Sequence, residues 1–325
     1  MAGLIEATGL GKAYGKKKDR AKRAVSDVDL SIDSGEMYVL MGLSGSGKST
    51  VLRMLNRLIE PTEGRVLLDG QDLATLGPRQ LREVRNARIS MVFQHFALFP
   101  HRTVRDNAAY GLHLRGVARR PAADRAQESL DLVGLGEWGD ARPAELSGGM
   151  KQRVGLARAL STDADILLMD EPFSALDPLI RREMQDLLVN LTSRLSRTVV
   201  FVTHDLNEAM RLGDRITLLN GGRVAQTGST AEILGQPADD YVRRFISEVD
   251  RLRVLTVADV MGPARGNEPY DPAHALAPAQ TLQEVADRLR RPGAGALPVV
   301  ADGVLVGRLS AAEVLGAVAV EERAA

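Results

Sequence analysis

The chain has 325 residues, 44% of them apolar and 26% charged, and its 42 basic residues balance its 42 acidic ones. Those figures suit a soluble globular protein with two domains, or with one large domain and an appendage. Zero net charge argues against a general grip on nucleic acid, and the lack of cysteine removes disulfides, thiolate metal sites and thiol nucleophiles. The N-terminus has no charged-then-apolar leader profile and no apolar run reaches about 18 residues, so any membrane association is expected to run through a partner.

In chain order, Tyr14 closes the stretch Lys12-Ala13-Tyr14. The dense basic run Lys16 to Arg23 follows and reads as a solvated hairpin loop ahead of a strand that includes Val28 and Leu30. Met37 to Met41 is a buried strand, and Lys48 to Leu58 is a helix with Val51, Leu52, Leu55 and Leu58 on one face. Between them, Gly42-Leu43-Ser44-Gly45-Ser46-Gly47-Lys48-Ser49 fits the phosphate-loop pattern G-x-x-x-x-G-K-[ST]. The glycines let backbone N–H groups turn toward phosphates, Lys48 reaches the β- and γ-oxygens, and the Ser49 hydroxyl suits Mg²⁺. The positive helix end adds to the anion site, with Thr50 near the α-phosphate.

Ile89 to Phe93 is a short strand ending at Gln94, whose amide suits a metal ion or a water. From Thr103 to Leu160 the pattern is mostly helical, broken at Gly116, Gly134 to Gly136 and Pro143. Inside it, Ser147 is a natural N-cap and Gly148-Gly149 expose N–H groups at a positive helix end. Two readings fit: an ordinary capped helix, or a second anion site serving a nucleotide on another subunit. The strand Asp165 to Met169 runs into Asp170 and Glu171. Asp170 can hold Mg²⁺, and Glu171 can polarise an attacking water. A helix from Pro178 to Leu195 and a strand from Thr198 to Val202 lead to His204, within reach of a γ-phosphate at that strand end. Ile216 to Leu219 and Arg223 to Gln226 form a late hairpin around Asn220-Gly221-Gly222. Apolar strands alternating with helices predict an α/β sheet covered on both faces, with residues 95–160 as an inserted helical subdomain.

The second unit opens at about residue 246. Gly262 to Pro278 reads as loop, Thr281 to Leu289 as an amphipathic helix, Leu297 to Val300 and Val304 to Leu309 as strands, and Ala311 to Val318 as a closing helix.

The motif order of residues 3–240 resembles the nucleotide-binding subunit of ABC transporters. It runs from the phosphate loop through the glutamine loop at Gln94 to the signature Leu146-Ser147-Gly148-Gly149-Met150-Lys151-Gln152. The Asp170-Glu171 pair, the D-loop Ser174-Ala175-Leu176-Asp177 and the switch His204 complete it. The resemblance implies a P-loop NTPase domain over 1–245, with a mostly parallel sheet core, an antiparallel β subdomain and an inserted helical subdomain. ATP and Mg²⁺ are the implied cofactors. Glu171, His204 and Gln94 are implied to serve hydrolysis, and Ser49, Gln94 and Asp170 to hold the metal. Gly42, Ser44 to Thr50 and Asp177 are implied at the nucleotide. Tyr14 would stack on adenine, an exposed loop tyrosine being the alternative. A second copy would face the first head to tail, with Ser147, Gly148 and Gly149 completing its ATP site.

Gln94 to Val104 and Val51 to Thr62 are similar to the ATPases of glycine betaine/proline importers. That likeness implies transmembrane permease subunits, an extracytoplasmic substrate-binding protein reached through them, and a peripheral place on the cytoplasmic face of the inner membrane. No nucleic acid is expected. Another small solute such as choline or an amino acid is an alternative. So is a soluble role in DNA repair or translation, which usually brings coiled-coil insertions or two ATPase units; neither is present here. Residues 246–325 are expected to be a linker and a small α+β unit resembling a single CBS repeat. The likeness lies in Thr256 to Met261, Leu297-Pro298-Val299-Val300 and Gly307-Arg308-Leu309-Ser310. A complete CBS module pairs two repeats, so the partner would come from a second chain. The nucleotide-binding version ends Ser/Thr-x-x-Asp; here Ser310-Ala311-Ala312-Glu313 departs from it and favours dimerisation or docking.

Overall fold

Unalternating apolar runs belong on strands with both faces covered, and the structure, a computed structural model, places them there. It describes residues 3–15, 22–94, 96–264, 270–290 and 295–318, with backbone alone at 193 and 194. Lys16 to Ala21 of the basic run and His95 of the glutamine-loop segment therefore lie outside the described residues.

Two compact units divide at Thr227/Gly228, ahead of the 245/246 boundary expected from the sequence. The first begins with β1 (Ile5–Tyr14), β2 (Lys22–Ile32) and β3 (Met37–Met41), then α1 (Lys48–Leu55), β4 (Glu63–Leu68), β5 (Gln71–Asp72), α2 (Pro78–Arg88) and β6 (Ile89–Phe93). Four helices follow: α3 (Val104–Ala108), α4 (Tyr110–Leu114), α5 (Arg119–Leu132) and α6 (Gly148–Leu160). The remainder is β7 (Ile166–Asp170), α7 (Pro178–Leu195), β8 (Thr198–Thr203), α8 (Leu206–Leu212), β9 (Arg215–Asn220) and β10 (Arg223–Gly228).

Six strands form one sheet in the order β10-β9-β3-β8-β7-β6, and β9 through β6 are parallel neighbours. A second, antiparallel sheet has the order β2-β1-β4-β5. Between them lies α1. Its Val51, Leu52 and Leu55 share one buried cluster with Ile5, Leu10 and Val28 of one sheet and Tyr38, Leu168 and Val200 of the other. Burying each such side chain contributes about 1.5–3 kcal/mol, so the helix that follows the phosphate loop is anchored from both sides.

This helix ends three residues earlier than the apolar spacing predicts. Arg57 adopts a left-handed φ of 54°, and Arg85 of α2 donates to the carbonyls of Asn56 (2.7 Å) and Arg57. The freed helix-end carbonyls are satisfied by a side chain some thirty positions on.

The middle segment is helical, as expected, with short 3₁₀ turns at Gly136–Trp138 and Pro143–Glu145. Buried Asn107 binds the loop after Gln94: its Oδ1 accepts from Phe99 N at 2.7 Å and its Nδ2 donates to Phe99 O at 3.1 Å.

The second unit carries α9 (Thr230–Gly235), α10 (Asp240–Ile246), α11 (Arg251–Val254), α12 (Val257–Val260), β11 (Gly262–Pro263), α13 (Leu282–Leu289), β12 (Leu297–Ala301), β13 (Val304–Leu309) and α14 (Ala311–Val318). Its sheet has the order β11-β13-β12 and is antiparallel. The stretch read as loop thus holds a short edge strand, Gly262–Pro263, paired with Arg308 and Gly307, and a 3₁₀ turn at Pro272–His274. Arg251 donates to the carbonyls of Leu234 (3.1 Å) and Ala317 (3.0 Å), drawing α9 and α14 to one side chain. Among the described residues, no helix is long and apolar enough to cross a membrane.

Candidate active site

Parallel strands that end together put their following residues side by side at the carboxyl edge of the sheet, where α/β proteins bind ligands. The registers do that here. Met41 lies opposite Thr203, Asp170 opposite Val202, and Phe93 opposite Asp170. The phosphate loop, His204, Asp170-Glu171 and Gln94 therefore leave four adjacent strands at one edge.

The loop from Gly42 to Gly47 is held in a shape most residues cannot take. Gly42 has φ 144°, and a Cβ there would lie 2.3 Å from the Leu219 carbonyl oxygen; Gly47 has φ 98°, and a Cβ there would lie 2.6 Å from the Ala24 carbonyl oxygen. Gly42→Ala is expected to destabilise the first unit by about 2 kcal/mol through backbone strain and this clash. Urea unfolding reads it, and an unchanged midpoint would mean that the β9 end yields instead.

Lys48 is buried and donates to the carbonyls of Gly42 (2.8 Å) and Leu43 (3.0 Å). Burial pushes its ammonium below the ordinary lysine range, against the opposing pull of Glu171 and Asp170. The Ser46 hydroxyl is buried and has no hydrogen-bond partner among the described residues. An unpaired buried hydroxyl is costly, and here it belongs to a glycine-shaped cradle beside a lysine: the donor set of a phosphate site.

Asp170 ends β7 and is buried. Ser49 donates its hydroxyl to Oδ1 at 2.7 Å, and Arg53 Nη2 lies 3.0 Å from Oδ2. A hydroxyl and a carboxylate in contact beside a phosphate cradle fit a hard divalent cation. Glu171 follows with a left-handed φ of 45°, and its N–H donates to Val202 O at 3.0 Å. That turn brings Oε2 to 3.0 Å from His204 Nδ1. Ser174 donates to the Glu171 carbonyl at 3.0 Å, so the D-loop start bears on the same residue. Behind His204, Thr203 and Gln185 (2.8 Å) donate to buried Glu208, whose carboxyl is pushed up by burial.

The other predicted residues take part in none of these contacts. Ser147 caps α6, its hydroxyl accepting from Met150 N at 3.3 Å. A Cβ on Gly149 would meet Ile180 Cγ2 at 2.5 Å, whereas one on Gly148 would meet nothing within 4 Å among the described residues. Asp177 caps α7 by accepting from Leu179 N (3.2 Å) and Ile180 N (3.1 Å). Tyr14 closes β1 on the other sheet, is half exposed, and has Lys12 Nζ 5.3 Å from its ring. Gln94 is partly buried just past β6, and Thr50 lies in the first turn of α1.

Sequence reading missed Arg53 and Glu208. An arginine on an amphipathic helix carries no local signal; only the fold brings Arg53 to a carboxylate 117 residues away.

A strand edge so equipped serves phosphoryl transfer from a nucleotide, and similarity to known proteins narrows the kind. Residues 25–174 match the ABC transporter family. The chain is 53% identical over 273 residues to the glycine betaine/proline betaine transport system ATP-binding protein ProV of Salmonella typhimurium, covering 82% of this chain and 68% of that one. It is 54% identical over 245 residues to the glycine betaine/carnitine transport ATP-binding protein GbuA of Listeria monocytogenes, covering 75% of this chain and 62% of that one. The chain thus spans about two-thirds of the length of these curated relatives. Among solved structures, the dimeric post-hydrolysis state of the ATP-binding cassette MJ0796, bound to ADP and Pi, is similar with a TM-score of 0.64 and 35% identity. That match covers 70% of this chain and 99% of that one. The chain belongs to the ATP-binding proteins of ABC transporters.

Proposed function

We propose that the chain is the ATP-hydrolysing subunit of an importer for glycine betaine, proline betaine or a related quaternary-amine osmolyte. The observation that carries the ATPase reading is the convergence of Lys48, Asp170, Glu171 and His204 at one sheet edge; the substrate class rests on the relatives' transport roles. In this reading Lys48 and the loop N–H groups bind the nucleotide phosphates. The Ser49 hydroxyl and the Asp170 carboxylate, with the Gln94 amide, would hold Mg²⁺, which when bound supplies charge neutralisation at the phosphates. Glu171 orients the attacking water and accepts its proton, and His204 holds Glu171 through its Oε2. Tyr14 stacks on the adenine, and Asp177 lies at the nucleotide.

The working unit is a head-to-tail dimer in which Ser147, Gly148 and Gly149 close on the ATP of the facing subunit. The dimer sits on the cytoplasmic side of the inner membrane against permease subunits, and a substrate-binding protein delivers solute to those subunits from outside. Residues 1–245 form the ATPase domain and 246–325 a linker with a single CBS-like repeat. In that repeat Glu313 accepts from Ser310 N (2.7 Å) and Ser310 Oγ (2.9 Å), which supports a cap at α14 over a ribose contact and so dimerisation or docking over nucleotide sensing.

Uptake of labelled glycine betaine, choline and proline in a deletion strain tests the substrate class. Loss of betaine uptake, restored by the intact gene and not by its Lys48→Ala form, is the expected result. Uptake of all three solutes equal to the parent strain would sink the substrate reading and leave the ATPase reading standing.

A further inference from the structure

Both oxygens of Asp170 are engaged by one face of α1. Ser49 donates to Oδ1 at 2.7 Å, and Arg53, one turn later, places Nη2 3.0 Å from Oδ2. Residues four apart share a helix face, so the carboxylate at the end of β7 meets both at once. Lys48, the cation of the phosphate-loop motif, donates to the Gly42 and Leu43 carbonyls. The cation bonded to Asp170 is therefore Arg53, not the phosphate-loop lysine.

The pair is asymmetric in exposure. The Asp170 side chain is 7% exposed and that of Arg53 is 45% exposed. A carboxylate this buried requires a counter-charge, whereas the guanidinium keeps solvent beside it and has somewhere to go. A divalent cation taken up by Ser49 and Asp170 draws on the same carboxylate charge that Arg53 neutralises through Oδ2, and it brings positive charge next to a fixed positive charge, which is repulsive. Guanidinium and metal ion are rivals for one ligand.

We infer that Arg53 is a built-in counter-ion that aligns and neutralises Asp170 and competes with Mg²⁺ for its carboxylate, so that it sets the Mg²⁺ concentration at which nucleotide binding tightens. The inference rests on Ser49 and Asp170 being the metal-holding residues. Arg53 is a positioning residue: it acts through Asp170 and not on the reacting atoms.

The test is calorimetric titration of ADP into the full chain over a series of free Mg²⁺ concentrations, with thermal unfolding measured in parallel in EDTA and in Mg²⁺–ADP. For Arg53→Gln, the half-saturating Mg²⁺ concentration is expected to fall about fivefold, the scale of a partly exposed ion pair. Its melting temperature is expected to fall in EDTA and to return to the wild-type value in Mg²⁺–ADP, because the metal then supplies the missing charge. Arg53→Lys is expected to stay close to wild type in both. An unchanged or raised Mg²⁺ midpoint in Arg53→Gln overturns the inference. So does an equal loss of melting temperature in both buffers, which would mark a purely structural role. A wild-type chain whose ADP affinity is indifferent to Mg²⁺ overturns the metal-site reading itself, and this inference with it.

Discussion

Replacing Glu171 by Gln is expected to lower steady-state ATP turnover by about 10²–10⁴-fold, the scale of a lost general base, while ATP still binds. The side chain keeps its length, so the approach to His204 at 3.0 Å is retained, but an amide cannot accept a proton from water. The phosphate cradle does not depend on it: Lys48 is tied to Gly42 and Leu43, and Ser49 to Asp170. ATP should therefore accumulate on the protein, and the dimer should persist in size-exclusion runs with ATP. Release of labelled phosphate reads the turnover. A Glu171→Gln chain that hydrolyses at the wild-type rate would remove Glu171 from its assigned role.

Gly148→Val is expected to reduce turnover by about 10²-fold or more with little effect on the isolated monomer. Valine keeps its backbone N–H but holds the facing ATP away from it, and losing a preorganised donor at developing charge costs that order. Among the described residues nothing lies within 4 Å of a Cβ added at this position. A side chain therefore fits the monomer, and only a body docking against the start of α6 would meet it. Urea unfolding and ATP binding at low protein concentration should match wild type, while hydrolysis and ATP-dependent dimerisation fail. Gly149→Val is the contrast, because its Cβ would run into Ile180 of the same chain and lower stability as well. If Gly148→Val lost ATP binding as a monomer, the head-to-tail geometry would be wrong.

The motif residues were legible because each lies beside a change of backbone geometry. The apolar runs Met37–Met41, Ile166–Asp170 and Thr198–Thr203 are buried throughout, and the acids, the histidine and the glycine loop follow directly where strands stop. The antiparallel sheet was far less legible from residue pattern. Along β1 the register to β2 shifts between Ala7 and Leu10 and again before Lys12 and Ala13. In β2 the left-handed Asp27 (φ 54°) lies between buried Val25 and Val28. Bulges of this kind add a residue to one strand and so break the period of two that marks a half-buried strand. The end of α1 escaped for another reason. Leu58 continues the apolar spacing, but Arg85 draws the chain into a turn at Arg57 through contacts made only once α2 has packed. The roles of Arg53 and Glu208 are of the same kind: each is defined by a tertiary partner, not by its neighbours in sequence.

Glu171 sits with φ at 45°, a region that costs a long side chain about 1 kcal/mol and that asparagine tolerates better. The backbone at this point prefers a residue other than the one the proposed chemistry needs. Any programme that selects sturdier forms of this chain by melting temperature alone is therefore drawn toward replacing Glu171, and its winners would be well-folded ATP binders that no longer turn over. With Glu171 in its proposed role, heat tolerance and turnover pull in opposite directions at this position, so a screen on this chain has to score both.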